Sequence, residues 1–475
     1  MPPKLTQSMR RRLGLALLAL SLAPAIHAAD LLTLYRDALA NNPGYAAARA
    51  DLAAARELLP QARGQLLPNL GLNAGATRTQ VDNDTVGIFG NRRETRYEFT
   101  SSSYGLTLNQ PLYRRQLWAQ LDQARAQIRE AEARFAYAGN DLALKLVQAY
   151  FDALLARDNL RLIAEQKTAI EAQLAQAKRL YESGYGTVTE VNEAQARLDS
   201  VRAQEIAAVN TLEVRLHGLN EITGRLPKTL LPLGSGMPLQ RPDPERLEDW
   251  IEFALERNPV VRFQQARLEI AQQELAKARA GHHPTLDLVA GLRRDRDPGY
   301  TTLDTRNEVA EIGLRFNLPL YQGGQIESRG RQTLALLDSA RSQLEAARRQ
   351  VAQQTRQEYL NVVNGVAQVG ALEQALKSHE LALYSMEKGF KAGVRTSVDI
   401  LNQQQLLYTA KRDLLKARYD YLISRMKLKT AAGLLEESDI EEVNGWLVEK
   451  NDAQALPVTG RPTVGLALSN ALSNR

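Results

Sequence analysis

Few side chains in this sequence are of a type and spacing that could do chemistry. The 475 residues contain no cysteine, which removes a disulfide framework, thiol catalysis and Cys-ligated zinc or iron–sulfur sites together. It also removes a lipid anchor on an N-terminal cysteine. His282-His283 is an adjacent pair with no third His at ligand spacing, so no metal is expected there. Gly323-Gly324 lacks the Lys and the glycine spacing of a phosphate loop and suits a tight passage from strand to helix. No catalytic residue and no cofactor is expected, and the chain is expected not to be an enzyme. Lys and Arg number 60 against 54 Asp and Glu, and Lys4, Arg10, Arg11 and Arg12 lie in the first 28 residues. Counted from Ala29 the balance is 56 to 54, too even for a nucleic-acid partner, which calls for a strong basic excess.

With so little chemistry, the elements themselves carry the reading. Residues 1–28 have the order of an export signal: a basic stretch ending at Arg12, an apolar run from Leu13 to Leu22, and small residues at Ala28-Ala29. The run is too short to span about 30 Å of hydrocarbon, so cleavage is expected rather than anchoring. After it, no uncharged apolar stretch reaches the roughly 18 residues of a spanning helix. The mature protein is therefore expected outside the cytoplasm, and any membrane crossing falls to β-strands.

The chain also repeats itself. A shift of 216 lays Ala38, Leu39, Asn42, Pro43, Pro68 and Gly75 on Ala254, Leu255, Asn258, Pro259, Pro284 and Gly291. The shift falls to 208 for Asn109, Pro111 and Tyr113 against Asn317, Pro319 and Tyr321, and is 209 for Tyr150, Gly184, Thr187 and Gly224 against Tyr359, Gly393, Thr396 and Gly433. Two homologous halves follow, 29–224 and 246–450, joined by a Pro-rich linker at 225–245. Residues 451–475, rich in Asn, Ser, Ala and Pro, are expected to form a flexible tail.

Proline is absent between Pro111 and Pro227 and between Pro319 and Pro457, and strong helix formers fill both intervals. Leu117, Leu121, Ala124, Ile128, Ala131, Phe135, Ala138 and Leu142 advance by alternating steps of four and three, a heptad seam that resumes at Leu146 after one stutter. Residues 114–181 as one helix measure about 100 Å, beyond any ordinary globular bundle. Glycines at 184, 186, 389 and 393 mark turns into returning helices near 187–222 and 396–432. Each covers only about 54 Å; a helix over 31–64, about 51 Å long, is expected to supply the rest.

Between the helices, segments 68–80, 98–112, 284–295 and 306–320 shift towards Gly, Thr, Asn, Ser and aromatics and show alternation. They fit tilted membrane strands, joined by polar loops at Gln80–Tyr97 and Arg296–Thr305. A soluble hairpin packed on helices is the alternative. Tyr104, Tyr113, Trp118 and Tyr321 at the strand–helix junctions suit an aromatic girdle or simple packing. Four strands cannot close a barrel, eight from two chains give a filled lumen, and twelve from three leave an opening. A conduit is therefore expected to be a homotrimer.

The two-fold repeat, Asn42-Pro43, the strand entry at 67–70, the Asn-Leu-Pro-Leu-Tyr at 317–321 and the turn at 389–402, with a degenerate copy at 184–192, resemble the TolC-type outer-membrane efflux proteins (outer membrane factor family) over nearly the whole mature chain. The missing cysteine places the resemblance in the non-lipoprotein branch. It implies a mostly α fold with a β-barrel part: four membrane strands per protomer, twelve in the trimer, continued by a long α-helical coiled-coil barrel. It implies an outer-membrane channel-tunnel in a Gram-negative bacterium, with a periplasmic helical part, serving tripartite efflux or type I secretion. Its partners would be a periplasmic adaptor, an inner-membrane transporter and outer-membrane lipid. By the same resemblance Thr189, Glu190, Phe390 and Arg395 form a network that holds the tip closed, with the Arg395 guanidinium received by Glu190 and Thr189. Phe390 replaces the family's tyrosine, so one hydroxyl contact is expected to be missing. Asp399 maps to a ring of acids at the pore constriction, and Asn402 stands where a second acid ring is usual. The alternative for Glu190, Arg395 and Asp399 is that they are solvated charges near helix ends. For the whole chain, the alternatives are a periplasmic coiled-coil adaptor, which normally carries one helical hairpin rather than two complete copies, and a structural spacer.

Overall fold

The computed structural model describes residues 30–447, apart from 228, 235 and 299–304. The expected export signal, the expected tail and most of the second polar loop lie outside the described residues. Asp30 caps α1 (Leu31–Asn41), which is followed by α2 (Pro43–Arg56), α3 (Leu58–Gly64), β1 (Asn69–Val86), β2 (Arg92–Arg114), α4 (Arg115–Glu182) and α5 (Val188–Thr223). The second half repeats the order with α6 (Leu247–Arg257), α7 (Pro259–Arg279), β3 (Thr285–Asp297), β4 (Thr305–Asn317), α8 (Gln325–Lys391) and α9 (Ser397–Ala432). A last helix, α10 (Glu437–Gly445), has no counterpart among the described residues of the first half.

The proline-free intervals give helices of 68 and 67 residues, each returning through a helix of 36. Along α4 the expected seam is buried at Leu121, Ala124, Leu142, Leu146, Ala153 and Ile163. Ala126 and Ala133 are buried off that seam, because α4 lies between α2 and α3 on one side and α7 on another.

Residues 31–64 are not one helix, as expected, but three lying along α4. Asn42 is extended at φ −70°, ψ 119°, since the Pro43 ring lacks an N–H and disfavours helix in the residue before it. The joint is functional in the fold. Asn42 Oδ1 accepts from the Tyr45 N–H at 3.0 Å, and its Nδ2 donates to the Ile222 carbonyl at 3.3 Å. Asn258 does the same for Val260 at 2.8 Å and Ala431 at 2.7 Å. Each asparagine thus caps one helix and docks it on the end of the returning helix.

The Gln80–Tyr97 segment is not a loop either. β1 and β2 remain paired from Asn69↔Asn109 to Val86↔Arg92, leaving only residues 87–91 as the turn. The outer part is mostly polar and charged, and no core of the chain covers it. It is a ribbon held by its backbone ladder and cross-strand pairs, Arg78–Glu98 at 2.8 Å, Arg96–Asp82 at 2.5 Å and Arg92–Asp84 at 2.8 Å.

The largest core lies part-way along the long helices, where Tyr150 and Phe151 of α4 meet Tyr419 and Tyr421 of α9, with Leu31, Trp250 and Ile440 around them. The proline-rich segment crosses here. The Tyr150 hydroxyl donates to the Leu231 carbonyl at 3.0 Å, and its repeat counterpart Tyr359 donates to the carbonyl of Glu245. Asp158, 7% exposed, accepts from the Tyr419 hydroxyl at 2.6 Å, joining α4 to α9 across the halves.

Candidate functional site: the two-faced sheet and the helical tip

The four strands form one antiparallel sheet in the order β1-β2-β3-β4. Its register sorts the side chains. Leu70, Leu108 and Ala290 lie in one row, Leu72, Leu106 and Leu292 in the next, with Ile312 and Leu314 continuing across β4. Successive side chains alternate faces, so these share one face, and Gly71, Asn73, Gly75, Thr107, Ser103, Arg293 and Glu311 share the other. The apolar face is uncovered: Leu72 is 73% and Ile312 78% exposed. A patch of this kind needs an apolar medium.

Two tyrosines bound that face. Tyr104 pairs with Arg294, and its hydroxyl accepts from that guanidinium at 3.1 Å. At the other end the register shifts between Pro111 and Tyr113, and Tyr113 pairs with Leu286. That irregularity turns Tyr113 onto the apolar face. Nine residues at 3.3 Å give about 30 Å along the strand, which a tilt near 40° reduces to about 23 Å, the height of an outer-membrane apolar band with its aromatic girdles. Trp118 and Tyr321 are exposed as well. Beyond Tyr104 the first hairpin runs on for another twelve residues per strand, about 40 Å along the strands past the apolar band.

At the opposite end of the molecule the helical hairpins turn. Thr187 caps α5: Glu190 N–H donates to Thr187 Oγ1 at 3.2 Å and Thr187 N–H to Glu190 Oε2 at 3.1 Å. Thr396 and Asp399 form the same box on α9, at 3.2 and 2.9 Å. The Thr396 backbone N–H, then its hydroxyl, then the Arg395 charge hold the Asp399 carboxyl below the usual aspartate range. Thr189 and Arg395 are exposed, and Phe390 is half-buried. Among the described residues no hydrogen bond or ion pair within the chain joins Arg395 to Glu190 or Thr189.

Two features of the tip are not legible in any motif. A Cβ at Gly389 would stand 2.8 Å from Arg395 Cγ, so the arginine stem lies over that glycine. In the first turn the sizes are exchanged: Leu180 stands where Gly389 does, and Gly186, whose Cβ would be 2.9 Å from Tyr181 N, stands where Arg395 does. The second feature is Arg197 on α5. It donates through Nη2 to Asn402 Oδ1 at 2.7 Å and through Nη1 to Gln405 Oε1 at 2.6 Å, and Nη2 also meets Glu193 at 3.1 Å. Asn402 is therefore engaged from the first half. The one signal in the sequence is the repeat itself, which sets Arg197 against Leu406.

A family model for outer membrane efflux proteins matches residues 34–225 and 250–434. The chain belongs to this family. It is 33% identical over 430 residues to the outer membrane protein TolC of Vibrio cholerae, covering 90% of this chain and 96% of that one. It is 30% identical over 418 residues to the alkaline protease secretion protein AprF of Pseudomonas aeruginosa, covering 88% and 87%. Among solved structures it resembles VceC of Vibrio cholerae with a TM-score of 0.71 at 20% identity, covering 85% and 96%. The efflux-family protein is thus an outer-membrane exit duct of a Gram-negative bacterium, its sheet in the membrane and its helices in the periplasm. The adaptor alternative is not favoured: both halves carry a strand pair as well as a helical hairpin.

Proposed function

We propose that three copies of this chain close a twelve-stranded barrel, and that the duct is opened at its helical tip by a periplasmic adaptor and an inner-membrane transporter. The observation that carries the assembly is the sheet: one face apolar, one polar, and β1 and β4 each unpaired on their outer side among the described residues. Unpaired edges within a bilayer are forbidden, because each orphaned N–H and C=O costs several kcal/mol there. Only pairing between copies satisfies both edges, and three copies leave a lumen. The names of the similar proteins, one of them a protease secretion protein, support a cargo range that includes type I secretion as well as efflux.

The tip is the constriction in this reading. Three Asp399 carboxylates focus negative potential on the narrowest point. Arg395, which makes no salt bridge in its own chain among the described residues, reaches Thr189 and Glu190 of a neighbouring copy, where Glu190 holds its own cap through Oε2. Arginine suits this role, because its planar fork holds an acid and a neutral acceptor at once. Phe390 contributes no hydroxyl. Light scattering in mild detergent tests the assembly: a trimer is expected, and a monomer or dimer overturns it. Co-purification with cross-linking in vivo tests the partners, with a periplasmic adaptor expected on the helical tip.

A further inference from the structure

We infer that Arg197 is a releasable latch between the two helical hairpins of one chain, a positioning residue for the tip that governs what Asn402 presents to the pore. The inference rests on the reading of the tip as the constriction. Its structural basis is how little else joins the hairpins there. Towards the middle of the molecule they are pinned by the Tyr419–Asp158 hydrogen bond. Seventeen residues along α9, about 26 Å, separate Tyr419 from Asn402. Between them lies a cavity of about 700 Å3 lined from both halves by Gln166, Gln204, Gln404 and Tyr408 among others. Gln404 is 7% exposed and its Oε1 has no partner among the described residues, so it ties nothing across the cavity.

At the tip-ward end of the cavity, where Arg197, Leu401 and Gln405 line it, two contacts join the halves. Leu401, 1% exposed, is the one second-half member of a cluster built from Ile170, Leu174, Ala194, Leu198 and other first-half residues. Arg197 then grips Asn402 and Gln405 beside it. The grip has the chemistry of a latch. Both acceptors across the interface are neutral amides, so no buried ion pair has to be broken on release. Glu193, one turn back on the same helix, stays with the guanidinium in either state and compensates its charge. With Arg197 engaged, the position next to the Asp399 ring carries a cation bound to an amide.

Single-channel recording in planar bilayers tests this, with trivalent-cation block as the second readout. Arg197→Gln is expected to raise open probability about tenfold, the equivalent of one charge-assisted hydrogen bond, with trimer yield unchanged. Asn402→Asp turns the amide contact into a salt bridge and is expected to lower open probability without tightening block. In the Arg197→Gln background the same Asn402→Asp change leaves the carboxylate unpaired and is expected to tighten block at least threefold. This exchange of effect depends on contact between the two side chains, and a general loss of stability does not produce it. Arg197→Gln with normal open probability, or an Asn402→Asp effect independent of residue 197, overturns the latch. Asp399→Asn is the control for the underlying reading: if block survives it, the constriction lies elsewhere and that reading fails, whatever residue 197 does.

Discussion

The two helical turns share a backbone plan but few side chains: between 180–190 and 389–399 only Gly184/Gly393 and Thr187/Thr396 are identical. Both have a left-handed glycine, at Gly184 and Gly393, and both start the returning helix with a threonine capping box. What differs is where bulk and charge stand. The first turn sets the half-buried Leu180 against Gly186; the second leaves Gly389 open so that Arg395 can lie across it. The first turn sends Arg197 outward to the second half, whereas the corresponding Leu406 is exposed and holds nothing equivalent. The lesson is that the local architecture is generic and that the residues proposed for the gate stand where the two turns depart from symmetry. The strand hairpins teach the same. The first reaches well past the apolar band on charge pairs, while β3 and β4 have 13 residues each.

If the asymmetry carries the gate, equivalent changes in the two turns must have unequal effects. The largest difference is expected between Asp399→Asn and Glu190→Gln. Both touch the third residue of a capping box, so both cost the cap a similar small amount, about 0.5–2 kcal/mol at most. Only Asp399→Asn is expected to abolish trivalent-cation block. Since the folded-state pKa of Asp399 is lowered, its carboxylate stays charged above that lowered value and loses its charge only as pH falls through it. Block is therefore expected to persist at about pH 4, where an ordinary aspartate is half protonated, and bilayer recordings over an acid series check this.

A smaller effect is expected at the second turn's arginine. Arg395→Ser removes the guanidinium from the tip and is expected to raise conductance; exposed pairs are individually worth about 0–1 kcal/mol, but three act together. Gly389→Leu should reproduce much of that rise with Arg395 still present, because the new side chain occupies the place of the arginine stem. Unchanged conductance in both variants removes Arg395 from the gate.

The smallest differences concern stability. Gly224 and Gly433 end α5 and α9 in the same left-handed conformation, at φ 74° and 70°. Replacing either by Ala costs about 1–2 kcal/mol for the backbone conformation. At Gly433 a Cβ would also stand 2.6 Å from the backbone of Arg257, whereas at Gly224 it meets the Asn41 side chain at 3.2 Å. Gly433→Ala is therefore expected to be the more destabilising in denaturant unfolding of the detergent-solubilised protein. Equal midpoints would mean that the two helix ends are packed alike.

The sequence by itself determined the duplication, the two helices of nearly seventy residues, the existence of four strands with their helix-proximal parts, and the lack of any cysteine. These are properties of spacing and composition: a heptad seam, a proline-free interval and an alternating apolar face are each visible within one segment. It also marked Asn42 and Asn258 as repeated, though not that each breaks a helix in order to dock it. Only the tertiary structure decided the rest. Arg197 and Asn402 are 205 residues apart, and Tyr419 and Asp158 are 261, so no local period connects them. The outer ribbon of the first hairpin is mostly polar and charged, because its strands are held by pairing with each other rather than by burial. The seat of Arg395 on Gly389 depends on how the turn folds back over the end of α8. Periodicity records which face a residue occupies. Which residue it meets there is set by how helices and strands from distant parts of the chain register against one another.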